Sequence, residues 1–303
     1  MPKAVVLTGY VPPDVLVWRN IPLPEPGPGQ VRIRVKAAGV SPTDTKIRHG
    51  DVQAVFPLPR RPFSASRQLA WSTRLVRPSL AYMWGTTSRA CSPASAATRS
   101  RSSRPRGRRS RQTSPGAMPA ALPAAAEAAL GILKQLRVMR GETLLVLGAA
   151  GSVGMIATQL AASWGVTVIG AAAPRDQDLV RSLGAVPVTY GDGLADRVRR
   201  VVESVDAVAD AAGKGGLADA IMLAGGPARV MTLADARAAD LGVAFSVGTP
   251  DRAPEALDQT MALLATGNLR IRRERQLPME QAAEAHRLLE NGDIHEKLVL
   301  DAH

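Results

Sequence analysis

The sequence predicts an α/β protein: a doubly wound parallel sheet preceded by a shorter β-rich region. Three observations predict it. Between residues 143 and 213, apolar strand patterns alternate with helical ones, at about 30 residues per β-α unit, as parallel sheets with crossover helices require. The first of these strands runs into a glycine-rich turn, GAAGSVG, that opens a helix. Ahead of them, residues 1–56 alternate short β patterns with Pro/Gly turns.

Taken in order, AVVLTGY and VRIRVKAAGV read as strands, and PLPEPGPGQ is a loop between them. Residues 57–115 hold no sustained period and are rich in Ser, Arg, Ala and Pro. Such a composition buries too little apolar surface to offset chain entropy, so this stretch is expected to be disordered. Helical spacing resumes in AALPAAAEAALGILKQLRV. Then follow strand TLLVLG, helix SVGMIATQLAASW, strand VTVIGAA, helix RDQDLVRSLG, strand VPVTY, helix LADRVRRVVE and strand DAVADAAG. PARVMTL and GVAFSVG precede helix PEALDQTMALLATG, the segment LRIRRERQLP, helix MEQAAEAHRLLENG and strand EKLVLDA.

The chain of 303 residues has 38 Lys and Arg against 26 Asp and Glu, a net charge of +12. That excess belongs to one segment. Between Pro57 and Pro115 stand thirteen Arg and no Lys, Asp or Glu, which leaves 25 basic residues elsewhere against the 26 acidic ones. A nucleic-acid partner is disfavoured, because no aromatics are interleaved among the arginines between Ser100 and Gly116 to stack on bases. The single cysteine, Cys91, excludes a disulfide framework and a multi-Cys zinc site. With no apolar h-region in MPKAVVLTGY, a cytoplasmic location is expected. Leu144 to Ala173 contains no charge, but its five glycines and its change of periodicity fit strand, turn, helix and strand better than a membrane span.

The turn places Gly148, Ala149, Ala150, Gly151, Ser152, Val153 and Gly154 between a strand and a helix. Small residues permit a tight bend there, and the helix N-terminus offers free N–H groups to a pyrophosphate. A dinucleotide-binding (Rossmann) unit is the expectation, since the motif has the flanking elements that it needs. An NAD site usually presents Asp or Glu at the tip of the next strand. This chain has Gly170 to Ala173, with Ala172 at the tip, followed by Pro174 and Arg175. Without that carboxylate, and with an arginine able to pair with a 2′-phosphate, NADPH is the expected cofactor. A purely solvated Arg175 is the alternative. Asp176 and Asp178 are expected to complement the next helix N-terminus.

GAAGSVG, EPGPGQVRIRVKAAGVSPTD, ALPAAAEAAL and the terminal KLVL together resemble the medium-chain dehydrogenase/reductase superfamily, and most of all its zinc-independent quinone oxidoreductase-like members. The likeness covers about residues 1–56 and 116–303. It implies a discontinuous GroES-like catalytic domain, made from residues 1–120 and 267–303, around a Rossmann domain at 121–266. It also implies hydride transfer from NADPH to a small-molecule quinone, enone or related carbonyl compound, and permits a homodimer. Zinc-dependent relatives have a cysteine ligand after AAGV; here Ser41 stands in its place, which implies zinc-free chemistry. By resemblance Ser41 and Asp44 lie near the nicotinamide as candidate catalytic residues. A turn in which Asp44 bonds local backbone is the equal alternative. Lys46 stands where quinone reductases often have tyrosine, and Tyr190 matches a position that often contacts the adenosine phosphate, unless it is a buried core tyrosine.

The family's AGVV strand, VGD turn and GGYAE segment are missing between Phe56 and Met118, although the spacing across the gap is about right. Reading each codon from the last base of the printed one recovers them. Met83-Trp84-Gly85 then gives Val-Gly, and Thr86 to Ser88 permits Asp-Asp-Val. Leu69 to Leu75 permits Gly-Val-Val-Asp-Ala-Ala, and Ser95 to Ser100 permits Gly-Gly-Tyr-Ala-Glu. Residues 57–115 thus read as the product of two compensating frame changes, near 57–67 and near 112–116, and the printed chain is expected to be impaired in catalysis. The alternatives are a catalytically inactive nucleotide-binding protein and a basic, RS-like segment that binds nucleic acid.

Overall fold

The computed structural model describes residues 2–53, 73–76 and 119–302, apart from 24, 27, 29, 30, 249–251 and 293. Its centre is a parallel sheet of six strands: β6 (Thr143–Leu147), β7 (Thr167–Ala172), β8 (Val186–Thr189), β9 (Ala207–Asp210), β10 (Val230–Thr232) and β11 (Ala244–Phe245). Their order across the sheet is β11-β10-β9-β6-β7-β8, and each neighbouring pair is parallel. The winding reverses between β6 and β9, and ligands of such sheets bind outside the carboxyl ends of the strands at this crevice.

Strand periodicity explains why this sheet is apolar on both sides. Leu144 and Val146 face one core with α2 (Leu122–Gln135), α3 (Ser152–Ser163) and α7 (Ala256–Ala265). Leu145 and Leu147 face the other, with α5 (Leu194–Arg199) and α6 (Leu217–Leu223). Alternate residues therefore feed opposite cores, the pattern of a sheet covered by helices on both faces. The charge-free stretch from Leu144 to Ala173 is β6, α3 and β7. No helix among the described residues is long and apolar enough to cross a membrane.

The flanking region joins the two ends of the chain. β1 (Lys3–Leu7) and β2 (Leu16–Asn20) form an antiparallel pair. A second small sheet sets β4 (Ala37–Gly39) antiparallel to β13 (Lys297–Asp301), which lies parallel to β12 (Glu274–Pro278). Val5, Leu16, Ala38, Met279, Ala285, Leu298 and Leu300 share one core, closed by α8 (Ala282–Asn291). Of the segment expected to lack structure, residues 73–76 are described. They form β5 (Thr73–Val76), antiparallel to β3 (Val31–Arg34), which corrects the expectation at those four positions. The rest of 57–115, Cys91 included, lies outside the described residues.

Residues 1–56 were expected to hold strands and turns, but Pro42–His49 is a helix, α1. Proline at its first position is preset for a helix, and Ser41 with Asp44 forms a capping box before it. Arg48 of α1 is buried against α8, where its Nε donates to His286 Nδ1 at 3.3 Å. Burial first, then Arg48 and His49, hold His286 down to about 4, below its ordinary value of 6.5. The folded state thus refuses a proton that the unfolded chain accepts below pH 6.5. Stability is expected to fall by about 3 kcal/mol as pH drops from 6.5 to 4, then to level. Denaturant melts of the protein and of His286→Gln across that range check this; the variant should lose much of the acid slope.

Candidate active site

α3 begins where the strand β6 ends. Gly151 donates to the Gly148 carbonyl at 2.9 Å and closes the turn. A Cβ on Gly154 would lie 2.1 Å from the Gly148 oxygen, so the helix sits on the turn only because that position lacks a side chain. No side chain caps the N-terminus of α3. The amides of Ser152, Val153 and Gly154 precede the first intrahelical bond, from Met155 to Gly151, and present donors and a positive dipole end at the sheet's carboxyl edge. Ala149 is buried under the turn and Ala150 packs against the same core. These features suit a pyrophosphate: small residues, free amides and no competing cap.

The tip of β7 carries no carboxylate. Ala172 and Ala173 are buried, and Gln177 pins the tip by donating to the carbonyls of Ala172, Ala173 and Val188 at 3.1 Å each. Arg175 follows in a short helical turn, 59% exposed, with its Nε 4.0 Å from Asp176. The guanidinium is held only loosely and faces solvent. Asp176 stands at the N-cap of α4 (Gln177–Ser182) without a side-chain capping bond, and Asp178 pairs with Arg181 at 2.5 Å. Tyr190 is 45% exposed beside the tip, its N–H donating to Ala172. The alternative of a buried tyrosine is thereby corrected: the first residue past β8 lies outside the sheet's two cores.

At the other end of the crevice, the Ser41 N–H and hydroxyl both donate to Asp44 Oδ2 at 2.7 Å. Local backbone bonding is therefore the role the geometry gives Asp44. The same helix sends Lys46 across to the parallel sheet, where its Nζ donates to the Ala234 carbonyl at 3.0 Å, past the end of β10. Asp44 also raises the pKa of Lys297, though burial pushes it down more strongly. Lys297, Glu274, Arg272 and Ser152 line one pocket between β12, β13 and the start of α3. Glu274 stands opposite Lys297 in the β12–β13 register, and burial pushes its carboxyl up. The start of α3 thus borders a pocket that holds two basic side chains and one carboxyl.

Sequence reasoning missed Lys297, Arg272 and Glu274, although a lysine and a glutamate beside apolar strand residues were visible signals. It also missed Asp210, buried at the end of β9, which accepts from Ala212, Gly213 and Thr232 and braces two loops of the carboxyl edge.

Residues 183–300 match the model of the zinc-binding dehydrogenase family. A search of curated protein sequences finds no match. Solved structures share the whole fold. The quinone oxidoreductase of Coxiella burnetii superposes with a TM-score of 0.72 at 22% identity, covering 99% of each chain. That of Pseudomonas syringae pv. Tomato gives 0.74 at 20% identity over 100% of each chain. A mycobacterial protein complexed with NADPH gives 0.71 at 20% identity, covering 99% of this chain and 100% of the other. The family description names zinc, yet among the described residues no group of three or more His, Cys, Asp or Glu is placed to hold a metal ion. The Ser41 hydroxyl is committed to Asp44. Both comparisons are with oxidoreductases, and the resemblance read from the sequence holds at this level: residues 183–300 match the model of a zinc-binding dehydrogenase family, and the chain shares the α/β fold of solved quinone oxidoreductases.

Proposed function

We propose that the chain is a zinc-independent, NADPH-dependent oxidoreductase of quinones, enones or related carbonyl compounds, impaired by the sequence it carries at residues 57–115. The observation that carries this reading is the uncapped N-terminus of α3 behind the Gly148–Gly154 turn, beside a β7 tip that lacks a carboxylate and is followed by Arg175. Residues 121–266 form the coenzyme domain and residues 1–120 with 267–303 the catalytic one. The amides of Ser152, Val153 and Gly154 take the pyrophosphate, with Ala149 and Ala150 shaping the turn. Arg175 takes the 2′-phosphate, and Tyr190 and Ala172 border the adenosine. NADPH bound here supplies the hydride. Ser41 and Asp44 order the nicotinamide end of the cleft, and the Lys46 bond to Ala234 holds α1 against the coenzyme-binding edge. A cytoplasmic enzyme, able to pair as a homodimer, completes this reading.

Hydride transfer needs an acceptor held against the nicotinamide with water excluded, and a wall of the catalytic domain must do this. The arginine-rich rewriting of residues 57–115 falls within that domain. The printed chain is therefore expected to bind NADPH but turn over poorly, and a chain with the frame restored across 57–115 to recover activity. NADPH consumption by both chains, followed over a panel of quinones and enones, tests this. Equal and full activity in the printed chain would contradict the frame reading, and a restored chain that binds NADPH but reduces nothing would contradict the enzymatic one. Arg175→Ala is expected to weaken NADPH by about one to two decades while sparing NADH, the loss of one charge-assisted phosphate contact. Equilibrium titration of both dinucleotides checks it.

A further inference from the structure

We propose that Lys214 is a second reader of the 2′-phosphate, acting from the rim of the adenosine groove opposite Arg175; this rests on the NADPH reading above. Lys214 Nζ lies 6.0 Å from the centre of the Tyr190 ring. Lys214 follows β9, and Tyr190 follows β8. In the sheet order β9-β6-β7-β8, the strands β6 and β7 lie between them. The contact therefore bridges the carboxyl ends of the two strands over which the adenosine half of a dinucleotide lies in a doubly wound sheet.

Both partners stand on braced loops. Lys214 is exposed between Gly213 and Gly215, which have φ of +61° and +91°, a left-handed backbone that suits glycine and turns the lysine outward. Below it, Asp210 Oδ1 accepts from the amides of Ala212 and Gly213 at 2.9 and 3.0 Å. The Tyr190 loop is clamped by Arg197, whose guanidinium donates to the carbonyls of Thr189, Gly191 and Asp192 at 2.8 to 2.9 Å. A cation is thus presented over the groove on a fixed pedestal, resting on an aromatic face. Lys214 is in none of the ion pairs formed among the described residues.

A distant cation–π contact in solvent is weak against a charge-assisted bond to a phosphate dianion. A 2′-phosphate entering the groove would draw the Lys214 ammonium off the ring and leave the Tyr190 face free for the adenosine. A dinucleotide lacking that phosphate offers no such exchange, so Lys214 contributes discrimination between NADPH and NADH more than general affinity.

The test is equilibrium titration of NADPH and NADH into the printed chain, Lys214→Met, Lys214→Arg and Arg175→Ala. Lys214→Met is expected to weaken NADPH about tenfold and leave NADH nearly unchanged, while Lys214→Arg retains most of the preference. The NADPH loss should shrink with added salt, as a contact between exposed charges does. A wild-type preference for NADPH that survives Lys214→Met overturns this proposal alone, as does equal weakening of both dinucleotides. A wild-type chain that binds neither, or binds both equally well, overturns the NADPH reading and this proposal with it.

Discussion

Gly154→Ala is expected to abolish measurable NADPH binding and to lower stability by about 1–3 kcal/mol, the cost of overpacking a site that cannot relax freely. The added carbon would stand 2.1 Å from the Gly148 carbonyl oxygen, 2.8 Å from its carbon and 2.9 Å from the Ala149 Cα. All three are backbone atoms, so no side chain can swing aside. Either α3 moves away from β6 or the turn opens, and both displace the amides of Ser152 to Gly154 from any pyrophosphate. The helix also packs Ile156, Ala157 and Leu160 into the core shared with α2, so its movement disturbs apolar packing as well. Urea melts and NADPH titration of the variant check the two halves. Wild-type affinity with unaltered stability would mean that the turn does not carry the coenzyme.

The second large effect lies at the α1–α8 contact. Glu290→Ala is expected to destabilise the protein by about 3 kcal/mol, because it leaves the buried Arg48 guanidinium without its carboxylate. Arg48 is 1% exposed, its Nη2 donates to Glu290 and lies 2.8 Å from His49 Nε2, and its Nη1 is buried without a partner. His286 cannot take over, since its imidazole carries no negative charge and its Nδ1 already accepts from Arg48 Nε. An apolar Arg48→Met, which removes the buried charge instead of orphaning it, should cost far less. The two variants compared by denaturant unfolding at pH 7 test the charge argument, and an equal loss in both would assign the effect to packing alone.

The parallel sheet was legible because its causes are local. Leu144 to Leu147 alternate between two apolar cores, Gly148 to Gly154 mark the strand–helix turn, and each crossover helix has its own amphipathic pattern. α1 was missed for the opposite reason: only eight residues long, it announces itself by the capping pair Ser41 and Asp44 and not by a stripe. The same pair was legible as a site candidate, but whether it caps or catalyses depends on geometry, and both Ser41 donors turn out to reach Asp44. Long-range partners were not legible at all. Lys46 meets Ala234 across 188 positions, and Glu274 meets Lys297 only through strand register. Tyr190 was singled out by resemblance, while Lys214 over its ring depends on loops that follow strands three places apart in the sheet.

Hydride transfer is the centre of this account, and isotopic labelling tests it most directly. The chain with the frame restored across residues 57–115 would be given NADPH carrying deuterium at both C4 positions, together with each acceptor it reduces. The account predicts slower consumption of the labelled coenzyme, and one deuterium on the β-carbon of a reduced enone. Consumption without an isotope effect and without label in the product, or binding of NADPH with no acceptor reduced, would contradict it.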